Sequence, residues 1–352
     1  MDDSLSGLAR FFAEVEGRSP PLVMATVLAT AGSTYAKTGA RVLIDPDGGA
    51  SGILSGGCLE ADLRERAARV LALDRPQRIA FDTRVSDDPV FGIGMGCEGA
   101  MDVWLEPIRP PEYELMRYLR GCLQSGSTGV VATVVGGEAR AEELGAHGFA
   151  GVAPNSRLGD MLARIAAGAP SRRGDLRKLP FDGRELEVFV APVVLPTSLL
   201  LCGAGPDAIP VHRFAAALGW RVTVFDHRPA FATAAAFPGA AQVVCARPEE
   251  AAERLRDRHF DAAVVMSHHL AADAEYLRWL AQRAPQYIGL LGPAARRQRL
   301  FHDVGETLRG IGARLHGPAG LDIGASSPEA IALAIIAQIQ AVLAGRSGGP
   351  FV

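Results

Sequence analysis

The chain has no long apolar run, no basic tract and no paired-cysteine motif, and each absence removes a class of function. A membrane-spanning helix needs about 20 predominantly apolar residues in succession, and no segment supplies them. A formal charge of −3 and a pI near 6.3 leave no basic stripe for nucleic acid and no polybasic segment for anionic lipid. Neither nucleic acid nor membrane is therefore an expected partner. The five cysteines, at 58, 97, 122, 202 and 245, form an odd set without a CxxC, which speaks against a disulfide framework or a zinc knuckle. Internal repeats and low-complexity tracts are also missing. The opening MDDSLSGLARFFAEVEG is acidic and amphipathic, unlike a signal or transit peptide, so a cytoplasmic location is the expectation.

What remains is an ordinary globular composition, 352 residues with 48% hydrophobic and 21% charged, enough for about two domains with a core each. Residues 4–17 place Leu5, Leu8, Phe11, Phe12 and Val15 at helical spacing. PLVMATVLAT (21–30), ARVLIDPDG (40–48) and AMDVWLEP (100–107) read as strands, the first two as a hairpin. LEADLRERAARVLAL reads as a helix. Residues 109–196 are expected to form a variable continuation of the first domain, with helices near 111–123 and 157–167 and strands near 129–136 and 187–194. From 197 the pattern is regular: SLLLCG, WRVTVFD, AQVVCA, DAAVVM and YIGLLG are buried-strand runs separated by helix-length segments. That alternation implies parallel crossovers and a Rossmann-like doubly wound sheet. The expected fold is α/β, an α+β domain over 1–196 followed by a Rossmann-like domain over 197–352.

Two kinds of motif carry chemistry. GAGPDA (203–208) lies between a strand and a helix, where Gly203 and Gly205 permit a tight turn and Asp207 precedes the helix. Asp226 closes the next strand, 21 residues after Gly205, where a dinucleotide fold places the acid that binds a ribose diol. On this reading a bound dinucleotide is NAD rather than NADP, although His227 and Arg228 add cations beside the acid. In VVMSHHLAAD, His268 or His269 is a candidate base or cofactor contact at the sheet's carboxyl edge, with helix capping an equal alternative. The second kind is the glycine-rich cysteine loop. SGGCLEAD sets Cys58 near a helix N-terminus, where the dipole favours a thiolate, and GIGMGCEGAMDV sets Cys97 before a strand, 39 residues later. Packing alone also accounts for either thiol, because free cysteines are commonly buried. Cys122, Cys202 and Cys245 are read as packing residues.

AGSTYAKTGARVLIDPDGGASGILSGGCLEADL, FGIGMGCEGAMDVWLEP, LLLCGAGPDAIPV, VTVFDHRPAF, VVMSHHLAADAEYL, YIGLLGPAARRQRL and HGPAGLDIGASSPEAIALAI, in this order, resemble the xanthine dehydrogenase accessory factor family, XdhC/CoxI. The second loop reads GCEG where that family often has GCGG or GCNG. The resemblance implies a chaperone without turnover of its own, which holds the molybdenum cofactor (molybdopterin) and delivers it to a molybdenum hydroxylase such as a xanthine dehydrogenase. It also implies work beside a cysteine desulfurase, and a homodimer. Carried over residue by residue, Cys58 and Cys97 contact the cofactor or its metal, Gly56, Gly57, Gly96 and Glu60 support them, and Ser33 and Thr34 supply hydroxyls. Two other readings stay open: an NAD-dependent oxidoreductase using GAGPDA, Asp226 and a histidine, and a sulfur carrier using Cys58 as a persulfide.

Overall fold

Leu5, Leu8, Phe12 and Val15 form the buried stripe of α1 (Leu5–Val15), and Ser4 caps it by accepting the Gly7 N–H at 3.1 Å. The computed structural model describes residues 4–55, 57, 59–82, 99–169, 173–283 and 285–350. It divides into two compact units, Met1–Leu195 and Pro196–Val352.

The first unit opens with β1 (Leu22–Gly32), β2 (Arg41–Ile44), β3 (Ala50–Ser51), α2 (Glu60–Leu73), β4 (Gln77–Asp82) and β5 (Gly99–Ile108). The strands pair antiparallel in the order β3-β2-β1-β5-β4. Alternation of side chains sorts the sheet into two faces. Val23, Ala25, Val103 and Leu105 pack under Leu63, Ala67 and Val70 of α2. On the other face, Leu22 and Met24 meet α1 and α3 (Glu114–Ser125).

A second sheet follows, built from β6 (Val130–Gly137), β7 (His147–Phe149), β8 (Asp175–Phe181) and β9 (Arg184–Pro192), ordered β7-β6-β9-β8, with α4 (Arg157–Gly168) on its outer face. Of these strands only β6 and β9 are expected from the sequence pattern. β7 has three residues, and β8 alternates exposed and half-buried positions, so neither presents the apolar run of an inner strand.

The two sheets of this unit meet at a seam of Leu28, Trp104, Val135, Phe189 and Ala191. Register places Thr26 between Arg41 on β2 and Trp104 on β5, so polar groups run across the same face. The Arg41 Nε and Trp104 Nε1 are buried without a hydrogen-bond partner, beside a cavity of about 10 Å³ that both residues border. Glu106 is 3% exposed, and His147 Nε2 lies 2.9 Å from its Oε2, close but off the hydrogen-bond line. Arg78 on β4 spans the seam's edge, with 2.5 Å contacts to Asp102 on β5 and to Glu187 on β9.

The second unit contains β10 (Ser198–Cys202), α5 (Ala208–Ala217), β11 (Arg221–Asp226), β12 (Gln242–Cys245), α6 (Ala251–Arg254), β13 (Ala262–Val265), α7 (Leu270–Arg283), β14 (Tyr287–Leu290), α8 (Ala294–Val304), β15 (Leu315–His316) and α9 (Pro328–Leu343). All pairings are parallel, in the order β12-β11-β10-β13-β14-β15. This is the 3-2-1-4-5-6 order of dinucleotide-binding folds. Successive strand residues feed opposite cores: Leu199, Leu201, Val222 and Val224 pack with α5 and α9, and Leu200, Cys202, Ala263 and Val265 pack with α6 to α8. Among the described residues no helix is long and apolar enough to cross a membrane.

Candidate functional site

At one edge of the first sheet, three chain segments converge. β1 ends at Gly32, which pairs with Gly99 at the start of β5, two residues after Cys97. A side chain on Gly99 would run into the Ser33 carbonyl and the Thr34 methyl, so only glycine lets the strand pass this closely. The Thr34 hydroxyl donates to the Ala36 carbonyl at 2.9 Å, and the Ala36 N–H donates to the Leu54 carbonyl at 3.3 Å. That bond ties the 33–37 turn to the loop leading toward Cys58.

Glu60 braces this loop. Its carboxylate accepts the Ser55 N–H at 2.9 Å and the Ser55 hydroxyl at 2.6 Å. The same hydroxyl oxygen accepts from the N–H groups of Gly57 at 3.3 Å and Leu59 at 3.0 Å. The arrangement satisfies donors at the start of α2, the work of a capping box spread over a longer loop. Burial alone would raise the Glu60 carboxyl, but the Ser55 side-chain and backbone hydrogen bonds outweigh it and hold the group below its ordinary value. Gly57 takes φ 117°, and nothing lies within 4 Å of where its Cβ would be. Cys58, Cys97, Gly56 and Gly96 lie outside the described residues. The first quoted motif contains two residues not singled out from the sequence, Tyr35, a 62% exposed aromatic in the middle of the 33–37 turn, and Lys37, whose Nζ donates to the Thr34 carbonyl at 2.8 Å. An aromatic flanked by turn residues between two strands was the available signal.

In the second unit the glycine turn follows β10. Gly203 has φ 129°, and a Cβ there would lie 2.5 Å from the Met266 carbonyl oxygen, so this glycine lets two strand ends approach. At Gly205 the close neighbour is the Asp207 carboxylate, 2.7 Å from the Cβ position. Asp207 Oδ2 in turn accepts from His268 Nε2 at 2.7 Å. The adjacent histidines part company because His268 adopts φ 62° just beyond β13. His269 caps α7 instead, its Nδ1 accepting the Ala272 N–H at 3.3 Å. Of the roles read from the sequence, helix capping falls to His269, while His268 pairs with Asp207. Behind them, Ser267 donates to Asp273 Oδ1 at 2.5 Å, and Arg296 donates to Asp273 Oδ2 through Nη2 at 2.6 Å.

Asp226 is fully buried. One oxygen accepts from the Ala204 N–H at 2.7 Å and Arg228 Nη2 at 2.6 Å, and the other from the Arg228 N–H at 2.9 Å and Nε at 3.0 Å. Burial pushes this carboxyl up, but the Arg228 side chain and the two backbone donors prevail and hold it below its ordinary value. The acid expected to face a ribose thus fastens the end of β11 to the glycine turn. Beneath it the Tyr276 hydroxyl is buried without a hydrogen-bond partner, and burial pushes the Cys202 thiol far up. Cys122 and Cys202 pack as expected, but Cys245 does not. It is exposed, because β12 is an edge strand of the sheet. Among the described residues no three His, Cys, Asp or Glu side chains converge as metal ligands.

The fold and motifs define a two-unit protein, an α+β unit followed by a Rossmann unit. Residues 199–339 match the family model described as XdhC Rossmann domain, and residues 17–82 match that of the XdhC and CoxI family. Over 317 residues the chain is 33% identical to a probable xanthine dehydrogenase subunit from Bacillus subtilis strain 168, covering 90% of this chain and 92% of that protein. A shorter similarity, 29% over 171 residues, relates 47% of this chain to 31% of the uncharacterized protein YqeB of Escherichia coli K12. A crystal structure described as a xanthine dehydrogenase from Bacillus halodurans superposes with a TM-score of 0.77 at 28% identity, covering 99% of this chain and 97% of that one. The chain belongs to the XdhC and CoxI family, the accessory factor family of the sequence resemblance.

Proposed function

We propose that this protein binds the molybdenum cofactor as cargo and passes it to a molybdenum hydroxylase of the xanthine dehydrogenase class. Family membership and the name of the Bacillus subtilis relative support the class of client. The observation that carries the reading is the convergence in the first unit. The 33–37 turn is bonded to Leu54 on one side and abuts Gly99 on the other, and these segments lead into the two cysteine loops. Soft thiolates suit a sulfur-ligated metal, and the start of α2 adds a positive field favourable to a thiolate or phosphate. In this reading Cys58 and Cys97 contact the cargo, Gly56, Gly57 and Gly96 give it room, and Glu60 keeps the first loop folded through Ser55. Ser33 and Lys37 belong to the same turn, which Thr34 holds through the Ala36 carbonyl. A dimer working beside a cysteine desulfurase completes the proposal.

The internal bonds of Asp226 disfavour the NAD-dependent oxidoreductase reading, because a ribose would have to compete with Arg228 and the Ala204 N–H for its oxygens. The test is molybdopterin and molybdenum per chain after purification from a molybdenum-replete host, together with activation of a cofactor-free client. The parent protein is expected to carry and deliver cofactor, Cys58→Ser to lose most of both, and Cys97→Ser to lose less. A Cys58→Ser protein that retains the parent's cofactor content and activates the client equally would overturn the reading.

A further inference from the structure

The first unit contains a cavity of about 390 Å³ that the proposed function does not use, formed between α3 and the β7–α4 segment. Its volume falls in the range of small-molecule sites. Phe149, Val152 and Ala163 give it an apolar side, while Gly148 lets β7 pass close to the Leu162 and Ala163 backbone of α4. The charged groups on its wall are Glu112, Glu114, Arg117 and His147.

Their pairing is unusual. Glu114 and Arg117 stand three apart on α3, the spacing at which opposite charges on a helix are neighbours. They do not pair. Arg117 Nη2 donates to the Pro111 carbonyl at 2.8 Å and has no carboxylate partner among the described residues. Neither Glu112 nor Glu114 has an ion pair or hydrogen bond there. Unlike them, His147 already has a carboxylate, Glu106, at 2.9 Å. The cavity wall therefore carries two carboxylates and a guanidinium with no ion-pair partner among the described residues, Glu114 acting on His147 only at longer range, together with an apolar side and the Asn155 amide. A purely cationic or purely anionic ligand would leave one of these signs facing its like.

We propose that this cavity binds a free α-amino acid with an apolar or aromatic side chain. The ammonium group lies on Glu112 and Glu114, the carboxylate on Arg117 and Asn155, and the side chain along Phe149, Val152 and Ala163. An α-amino acid carries its two charged groups on one carbon, which matches the closeness of Glu114 and Arg117 on one helix face. The site is independent of the cysteine loops and of the cofactor reading.

Titration calorimetry of the full chain with L-phenylalanine, L-leucine and L-methionine tests this, with N-acetyl-L-phenylalanine, L-phenylalaninamide and phenethylamine as blocked or single-charge controls. At least one of the three amino acids is expected to bind saturably. Loss of either charge in the controls should weaken binding tenfold or more, and so should Glu114→Gln or Arg117→Met in variants with unchanged thermal melting. Both substitutions lie on the exposed face of α3, which limits their effect on folding. No saturable binding of any of the three, equal binding of phenethylamine or the N-acetyl compound, or indifference to both substitutions would each overturn the proposal.

Discussion

His268 and Asp207, 61 residues apart, are joined by a 2.7 Å contact between imidazole Nε2 and carboxylate Oδ2. The pair is half open to solvent, with side chains 59% and 26% exposed. Ion pairs of this kind contribute about 0 to 1 kcal/mol, so stability alone gives little reason for it. What holds it in place is backbone: His268 sits at φ 62°, a conformation costing a non-glycine residue about 1 kcal/mol or more.

A consequence can be measured by urea unfolding of the second unit. His268→Gly removes both the contact and the backbone strain, whereas His268→Ala removes only the contact. The glycine variant is expected to be the more stable of the two by about 1 kcal/mol. An alanine variant of equal or greater stability would contradict the strain.

Asp226 contributes to acid sensitivity. Its folded carboxyl titrates below its unfolded value of about 3.9, so its stabilisation is present above that pH and is lost as pH falls through the folded value. Asp226→Asn is expected to cost about 2 to 3 kcal/mol at pH 7, through weaker hydrogen bonds to Arg228 and the Ala204 N–H. Below pH 4 the deficit relative to the parent should shrink. Denaturant midpoints between pH 3 and 7, followed by the fluorescence of Trp220 and Trp279, give the comparison.

His147 works in the opposite sense. Burial would lower its pKa, but Glu106, with a smaller part from Glu114, outweighs this and raises it. The stabilisation is complete below the unfolded value of about 6.5 and fades as pH rises through the folded one. The first unit is expected to lose stability from pH 6 to 8, and His147→Gln to remove most of that slope. An unchanged slope in the variant would assign the effect to another group.

Thiol reactivity should follow burial. Iodoacetamide followed by peptide mass spectrometry is expected to label exposed Cys245 readily in the native protein, leaving Cys122 and Cys202 untouched until unfolding. Burial raises both of the latter thiols, so the reactive thiolate is scarce as well as inaccessible. Native labelling of Cys202 at the rate of Cys245 would mean that the Rossmann core opens locally.

The Rossmann unit was readable because β10, β11 and β13 are buried on both faces and so appear as continuous apolar runs between helix-length segments. β15, with two residues, offers no such run. β4 did carry a signal, since QRIAFD alternates exposed and buried positions, but its charged members hid it. At the site, the glycine turn was evident from its spacing, whereas the burial of Asp226 depended on Arg228 folding back two residues, a conformation no spacing encodes. The separation of His268 from His269 likewise rests on one backbone angle.

The polar seam of the first unit bears on how the chain can be divided. Arg41 and Glu106 belong to the first sheet and His147 to the second, so the second sheet is not an appendage that can be trimmed away. A fragment ending at residue 108 would keep a carboxylate and a guanidinium placed for an interior while removing the imidazole and the strands that cover them. Arg78 would lose Glu187 by the same cut. Anyone seeking the cysteine loops in isolation should therefore take the whole of residues 1–195, because the later half of that span closes a surface the earlier half cannot leave in water.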